Sequence, residues 1–362
     1  MFAARLANLK RDISAVRDSV TATERLRRLA RSPGPAHFAP PWVCPFEEQA
    51  KSFPSSISWR IFDHCATVTR LYAIYERFAI DVLEAWLNAL PSLYFTYDDL
   101  PQRVQKQHRD GIAAILPQIG EGRFANIPLS SVIERLNDCI GGKSPYSLVA
   151  EAFVVRDKNL RGGVLEILFG KAGIPNCWGW IQRHRKVRIF VQETLGSSET
   201  ADSELSTFVN YRNEAAHGDV SEMLDVHGLV RLADFVEVLC EALAQKIHLS
   251  ILMLEIENGT YVEIGSVTES FPAMNVVVAQ VDRGRLCVGE EVTVSNPQYC
   301  FAATIRELQI DGISYPEIFF HAPTEVGIKL DQTVRKNAKL FQQPVQGSPL
   351  VDDTMFQLTI VP

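Results

Sequence analysis

The chain has 362 residues, 46% of them hydrophobic, a size and composition that suit two globular domains and exclude a disordered or fibrous protein. Its net charge of -7 gathers at one end: residues 251–362 carry 7 Lys/Arg against 14 Asp/Glu, and the first 250 residues are neutral. Overall charge therefore excludes a broadly basic nucleic-acid binder, and any such site must be local. The seven cysteines are scattered without a C-x-x-C pair, as expected for free thiols in a reducing compartment. The first residues, MFAARLANLKRDISAVRDSV, are charged throughout and lack the apolar core of a signal peptide. The apolar run IHLSILMLEI is too short to span a bilayer, so a cytoplasmic protein with no membrane partner is expected.

Leu6, Leu9, Ile13, Val16 and Val20 recur at spacings of three and four, which predicts an opening helix over residues 1–31. Its stripe serves either as a coiled-coil seam or, the favoured reading, as packing against its own domain. Arg25, Arg27, Arg28 and Arg31 crowd its end, where cations complement the helix dipole. The prolines of SPGPAHFAPPWVCP at 32–45 then forbid helix. A long helix follows in SWRIFDHCATVTRLYAIYERFAIDVLEAWLNAL, with Phe62, Val68, Leu71, Ile74, Phe78, Val82, Leu83 and Trp86 in helical period and Pro91 as its stop. Shorter helices are expected over 98–117, 128–140, 145–153 and 162–171, and IQRHRKVRIFVQETL continues the pattern. GSSETADSE reads as a loop, and a final helix is predicted from about Ala215 to residue 255, with Asp219 or Ser221 as local caps.

After ENGTY the pattern changes. VEIGSVTES, MNVVVAQVD, EEVTVSN, FAATIRELQI and TEVGIKL are short, β-branched and partly alternating, with Gly, Asn, Asp and Pro between them. Six or seven strands at this spacing make a small closed barrel or a sandwich. The fold class expected is thus multi-domain α plus β: an all-α bundle over 1–255, a small antiparallel β domain over 260–342, and a tail over 343–362 that can add a final strand.

One polar stretch stands out, FVNYRNEAAHGDV at 208–220, predicted to lie at the start of the final helix. Asn213 and His217 are four apart and share a helix face, whereas Arg212 lies about 140° round from His217. Imidazole side chains exchange protons near neutrality, guanidinium offers a planar fork to phosphate oxygens, and an amide can fix either partner. That set suits metal-independent RNA cleavage, in which the 2′-OH is deprotonated and attacks the neighbouring phosphorus. DNA has no 2′-OH and would be spared.

YRNEAAHG, ahead of a long apolar helix and after a mainly helical domain, resembles the R-x4-6-H signature of the HEPN superfamily. RLYAIYERFAIDVL resembles the early long helix of HEPN toxin and defence nucleases. The resemblance covers residues 55–255 and implies a helical domain that dimerises so that two Arg/His sets form one RNase site. It implies that His217 is general acid or base, Arg212 the phosphate clamp and Asn213 the positioning residue, with Glu76 and Tyr211 in support. It also implies a tRNA, rRNA or mRNA substrate, a homodimer, and an antitoxin or regulatory protein partner. Toxins neutralised by nucleotide addition carry a tyrosine two residues after the histidine; Asp219 stands there, which argues against that form of control.

Arg183, Arg185, Lys186 and Arg188 in IQRHRKVRI form a basic cluster that is either an RNA-phosphate surface or a solvated helix face. NDCIGGKS has the end of a phosphate loop without its first glycine or a preceding strand, so nucleotide binding there is rejected. His64, His108, His227 and His248 lack metal-ligand spacing; no metal and no cofactor are expected. Finally, GRLCVGE and EVGIKL within residues 260–342 resemble domain 2 of elongation factor Tu-like translation factors. That likeness implies a β-barrel without its GTPase domain, able to meet the translation machinery or a protein partner.

Overall fold

The computed structural model describes residues 2–29, 53–154, 159–196 and 199–344. The proline-rich break at 32–45 and the tail beyond residue 344 lie outside the described residues. Among the described residues nine α-helices precede nine strands, so the α plus β class is as expected. None of the described helices is long and apolar enough to cross a membrane.

Helix α1 (Ala3–Leu29) buries Leu9, Ile13, Val16 and Val20, so its stripe packs within the chain. Helix α2 (Ser56–Leu93) buries Val68, Leu71, Phe78, Val82, Leu83 and Trp86, but Phe62 of the predicted stripe is 70% exposed. The helix also runs through Pro91 instead of stopping there. A proline removes one backbone donor and crowds the turn before it, and this close to the end a single lost bond does not stop the chain. The Tyr94 N–H still reaches the Leu90 carbonyl at 2.8 Å.

Helices α3 (Gln102–Ile115), α4 (Leu129–Ile140) and α5 (Gly162–Lys171) match expected segments. The helix expected at 145–153 is only a 3-10 turn, Ala150–Phe153. The Ala152 carbonyl accepts the Gln107 side-chain amide at 2.9 Å and presses on α3 where Gly111 has no side chain; a Cβ there would overlap it. Two helices replace the continuous one expected through IQRHRKVRI, α6 (Cys177–Arg183) and α7 (Arg185–Phe190), with His184 extended between them. His184 is 1% exposed and its ring lies 5.4 Å from that of Trp180, so burying the imidazole turns the chain at that residue.

Helix α8 (Ala201–His217) starts in what the composition suggested was loop. Thr200 Oγ1 accepts the Ser203 N–H at 3.0 Å, Ser203 Oγ accepts the Thr200 N–H at 2.9 Å, and Asp202 and Glu204 favour the positive helix end. The long helix α9 (Val226–Glu257) starts later than expected, because Asp225 rather than Asp219 or Ser221 caps it: its Oδ1 accepts the Gly228 N–H at 2.8 Å.

The chain forms two compact units. One comprises residues 1–88, 101–137 and 148–244, the other 89–100, 138–147 and 245–362. In the first, Ile13, Leu71, Tyr75, Leu83, Phe169, Phe208 and Phe235 are fully buried. The second holds strands β1 (Val262–Phe271), β2 (Val276–Val281), β3 (Gly284–Cys287), β4 (Glu291–Asn296), β5 (Tyr299–Ile310), β6 (Ile313–Tyr315), β7 (Glu317–Phe320), β8 (Thr324–Leu330) and β9 (Lys339–Gln342). The order β4-β9-β1-β2-β8-β5 closes when β5 pairs with β4, giving the expected small antiparallel barrel; β6 lies against β5, and β3 pairs with β7. Alternation aims Val277, Ala279 and Val281 of β2 and Val326 and Ile328 of β8 into its core. Within this unit Leu252 packs with Cys300 and Phe341, and the Gln245 side chain accepts the Cys300 N–H at 3.1 Å.

Candidate active site

Arg212, Asn213 and His217 occupy the last two turns of α8, not the start of the final helix. The helix ends because Gly218 takes the left-handed conformation (φ 76°) and its N–H closes on the Glu214 carbonyl. This makes His217 the last helical residue.

Helix α8 is anchored from beneath by Phe208, fully buried, with ring centroids 5.9 Å from Tyr72 and 6.3 Å from Tyr75. One turn on, the Arg212 guanidinium carbon lies over the Tyr72 ring, 5.0 Å from its centroid. Its Nη1 donates to Asn213 Oδ1 at 3.2 Å, and the same oxygen accepts Asn159 Nδ2 at 2.9 Å. An arginine held by a ring and an amide loses less freedom on meeting a ligand than a free one.

Tyr72 is itself fixed. Its hydroxyl accepts the Leu160 N–H at 2.9 Å and donates to Glu76 Oε1 at 3.4 Å, and the Tyr75 hydroxyl donates to the Leu160 carbonyl at 2.8 Å. Burial, reinforced by the Glu76 carboxylate and opposed by Arg212, pushes the Tyr72 phenol up to about 12, so it stays protonated. Arg161 ties the same loop to α8, donating to Asn210 Oδ1 at 2.7 Å and to the Ser206 carbonyl at 3.4 Å.

The structure thus gathers Arg212, Asn213 and, through Tyr72, Glu76. It does not bring His217 to them. His217 is exposed and makes no hydrogen bond or ion pair among the described residues. Tyr211 belongs to a different cluster. Its hydroxyl donates to Glu222 Oε2 at 3.1 Å, and its ring meets that of His64 edge-on at 5.5 Å. His64 and Tyr72 are eight residues apart on α2, about 12 Å along its axis. Burial first, then the Glu222 carboxylate, pushes the Tyr211 phenol up to about 12. His64 is fully buried; its Nδ1 accepts the Leu224 N–H at 3.2 Å, and burial lowers its pKa against the pull of Glu214 and Glu222. Glu214 in turn accepts the Ser221 N–H at 3.0 Å and its hydroxyl at 2.9 Å, which fixes the turn after α8.

In the basic cluster Arg183, Lys186 and Arg188 are exposed and Arg185 is half-buried. Lys186 is engaged by Glu241 at 2.6 Å. Sequence reasoning missed Tyr72, Asn159 and Arg161. Tyr72 had a signal, its four-residue spacing from Glu76 in RLYAIYERF. Asn159 and Arg161 had none, since only the fold carries their loop to α8. Among the described residues no group of three or more His, Cys, Asp and Glu side chains gathers as a metal site.

No curated protein matches the chain. Two solved structures resemble part of it, both of the C-terminal domain of the Geobacillus thermoleovorans "putative U32 peptidase". The selenomethionine variant is 19% identical, with a TM-score of 0.21, covering 22% of this chain and 99% of that one. The other structure of that domain is 19% identical, with a TM-score of 0.20, covering 22% of this chain and 90% of that one. At those scores the likeness says nothing further about this chain. The helical part is different: residues 6–253 match the family model described as HEPN_MAE_28990-like HEPN, and the chain belongs to that HEPN family.

Proposed function

We propose that the chain is a metal-independent endoribonuclease whose site is completed by a second copy of itself. The observation that carries this reading is the end of α8, where Arg212 is held ready over Tyr72 and His217 faces solvent with no partner among the described residues. An accidental motif in a structural helix calls for both side chains buried and paired within one subunit, and His217 is exposed and unpaired among the described residues.

In this reading the general base takes the proton of a ribose 2′-OH, and that oxygen attacks the adjacent phosphorus. A 2′,3′-cyclic phosphate forms, and the 5′-oxygen leaves and receives a proton from the general acid. His217 and its symmetry mate share those roles, and Arg212 neutralises charge on the non-bridging oxygens. Asn213 orients Arg212 through the bond it already makes. Exposure of His217 fits a base that must reach substrate and a second subunit. The biological role that suits such a site is a toxin or phage-defence nuclease acting on tRNA, rRNA or mRNA. The barrel, by its likeness to translation-factor domains, serves to direct it or to receive an antitoxin or regulator.

The test is cleavage of total cellular RNA by purified protein in EDTA, wild type beside His217→Ala, with the product ends mapped. Cyclic-phosphate and 5′-hydroxyl ends made only by the wild type are expected. Equal cleavage by both proteins would remove His217 from the mechanism. RNA binding without cleavage by either would point to a non-catalytic HEPN module.

A further inference from the structure

The arginines at the end of α1 have a second feature that the helix dipole does not explain: they face a cavity. It is open, about 580 Å³ in volume, and lies within the helical unit. Arg25 and Arg28 of α1, Arg60 of α2 and His227 of α9 line it, together with Ser56 and Val226. Those last two are the first residues of α2 and α9, so two helix N-termini turn their positive ends to the same space.

The acids nearby are already engaged. Glu24 pairs with both Arg27 and Arg28, the latter at 2.7 Å, and Asp63 faces Arg27 at 3.5 Å. Asp225 caps the first turn of α9. Among the described residues Arg25 and Arg60 make no ion pair or hydrogen bond, so no described carboxylate engages these two guanidinium groups of the wall. The volume falls in the range of small-ligand sites, roughly 300–1,000 Å³. Among the described residues the lining includes no aromatic side chain; they offer charge and donors without a surface on which a base would stack. Such a wall recognises phosphate irrespective of sequence.

A chain of contacts leads from the cavity wall to the motif helix. Asp63, which faces Arg27, precedes His64; His64 accepts the Leu224 N–H and meets Tyr211, the residue before Arg212. We propose that this cavity is a phosphate-binding subsite in which Arg25 and Arg60 hold the backbone of the RNA strand presented to Arg212 and His217. The choice of RNA rests on the nuclease reading above. The phosphate chemistry does not, and a free nucleoside polyphosphate shares it.

The test measures binding, not cleavage, on the full chain carrying His217→Ala, with and without Arg25→Gln and Arg60→Gln. The probes are a labelled single-stranded RNA across a salt series, then ATP and inorganic pyrophosphate as competitors. Two lost phosphate contacts should flatten the slope of log affinity against log salt by about 1.4, at about 0.7 per contact on a single strand. Pyrophosphate should displace RNA from the parent and lose that ability with the double variant. Melting should be unchanged, because neither side chain makes an internal bond among the described residues, and Arg60→Lys should restore part of the slope. Binding of ATP or pyrophosphate without competition for RNA would overturn the RNA assignment in favour of a free polyphosphate. An unchanged slope together with no pyrophosphate binding, in a folded double variant, would overturn the site itself. Absence of cleavage in the separate EDTA assay would sink the nuclease reading and leave this result readable.

Discussion

Replacement of Tyr72 separates what holds the fold from what positions Arg212. The side chain is 2% exposed and has two duties: its hydroxyl receives the Leu160 N–H, and its ring lies under the guanidinium. Tyr72→Phe keeps the ring and strands a buried amide, which costs about 1–3 kcal/mol of stability. Tyr72→Leu strands the same amide and also removes the ring. A cation over an aromatic face contributes about 0.5–2 kcal/mol, so Tyr72→Leu should cleave RNA roughly 2- to 30-fold more slowly than Tyr72→Phe. Urea midpoints identify conditions in which both variants are folded, and kcat/KM in EDTA then compares them. Tyr72→Phe should lose stability while keeping most of its activity. If the folded Leu variant cleaves as fast as the Phe variant, the ring does not position Arg212, and its place under the guanidinium is packing only.

Two further outcomes follow from burial and charge. His108 is fully buried with Nε2 accepting the Val149 N–H at 3.0 Å, and burial, then Arg109, lowers its pKa from 6.5 to about 4. Below pH 6.5 the unfolded chain takes up a proton that folded His108 refuses, so stability falls with pH until about 4 and then levels off. The loss amounts to about 3 kcal/mol; His108→Gln should remove that part of the slope in urea titrations, and an identical slope in both proteins would contradict it. On the basic cluster, Arg183→Gln with Arg188→Gln should lower the salt dependence of RNA binding by about 1.4, whereas Lys186→Gln should change it less because Glu241 already engages Lys186; a larger effect from Lys186 would show that the pair opens on binding.

The role of the barrel is better tested by surface substitution than by cutting the chain at residue 260. Gln245 and Leu252 belong to the barrel's compact unit, and Leu252 packs directly on Cys300 and Phe341. Removal of the strands would expose that apolar contact on α9. A change in substrate choice could then reflect a damaged helix.

The fold class of this protein was legible in its amino-acid order, and so was the short motif proposed as its site. Periodicity near 3.6 in α1 and α2, and alternation in β2 and β8, are local consequences of which face each element buries, and they are legible in one dimension. The R-x4-H pair was legible for the same reason, being held in one short stretch. Boundaries were less so. Thr200 and Ser203 form a capping box that composition alone made look like loop, and Gly218 ends the motif helix because it can adopt a left-handed turn at little cost. Packing between distant elements sets the company each side chain keeps. It set Arg212 over Tyr72, bound Asn159 to Asn213, turned Tyr211 toward His64 and left His217 exposed. Those contacts join α2, the loop at 159–161 and α8, which lie far apart in the chain. They depend on how buried faces dock rather than on any local preference, and no spacing within a single segment encodes them.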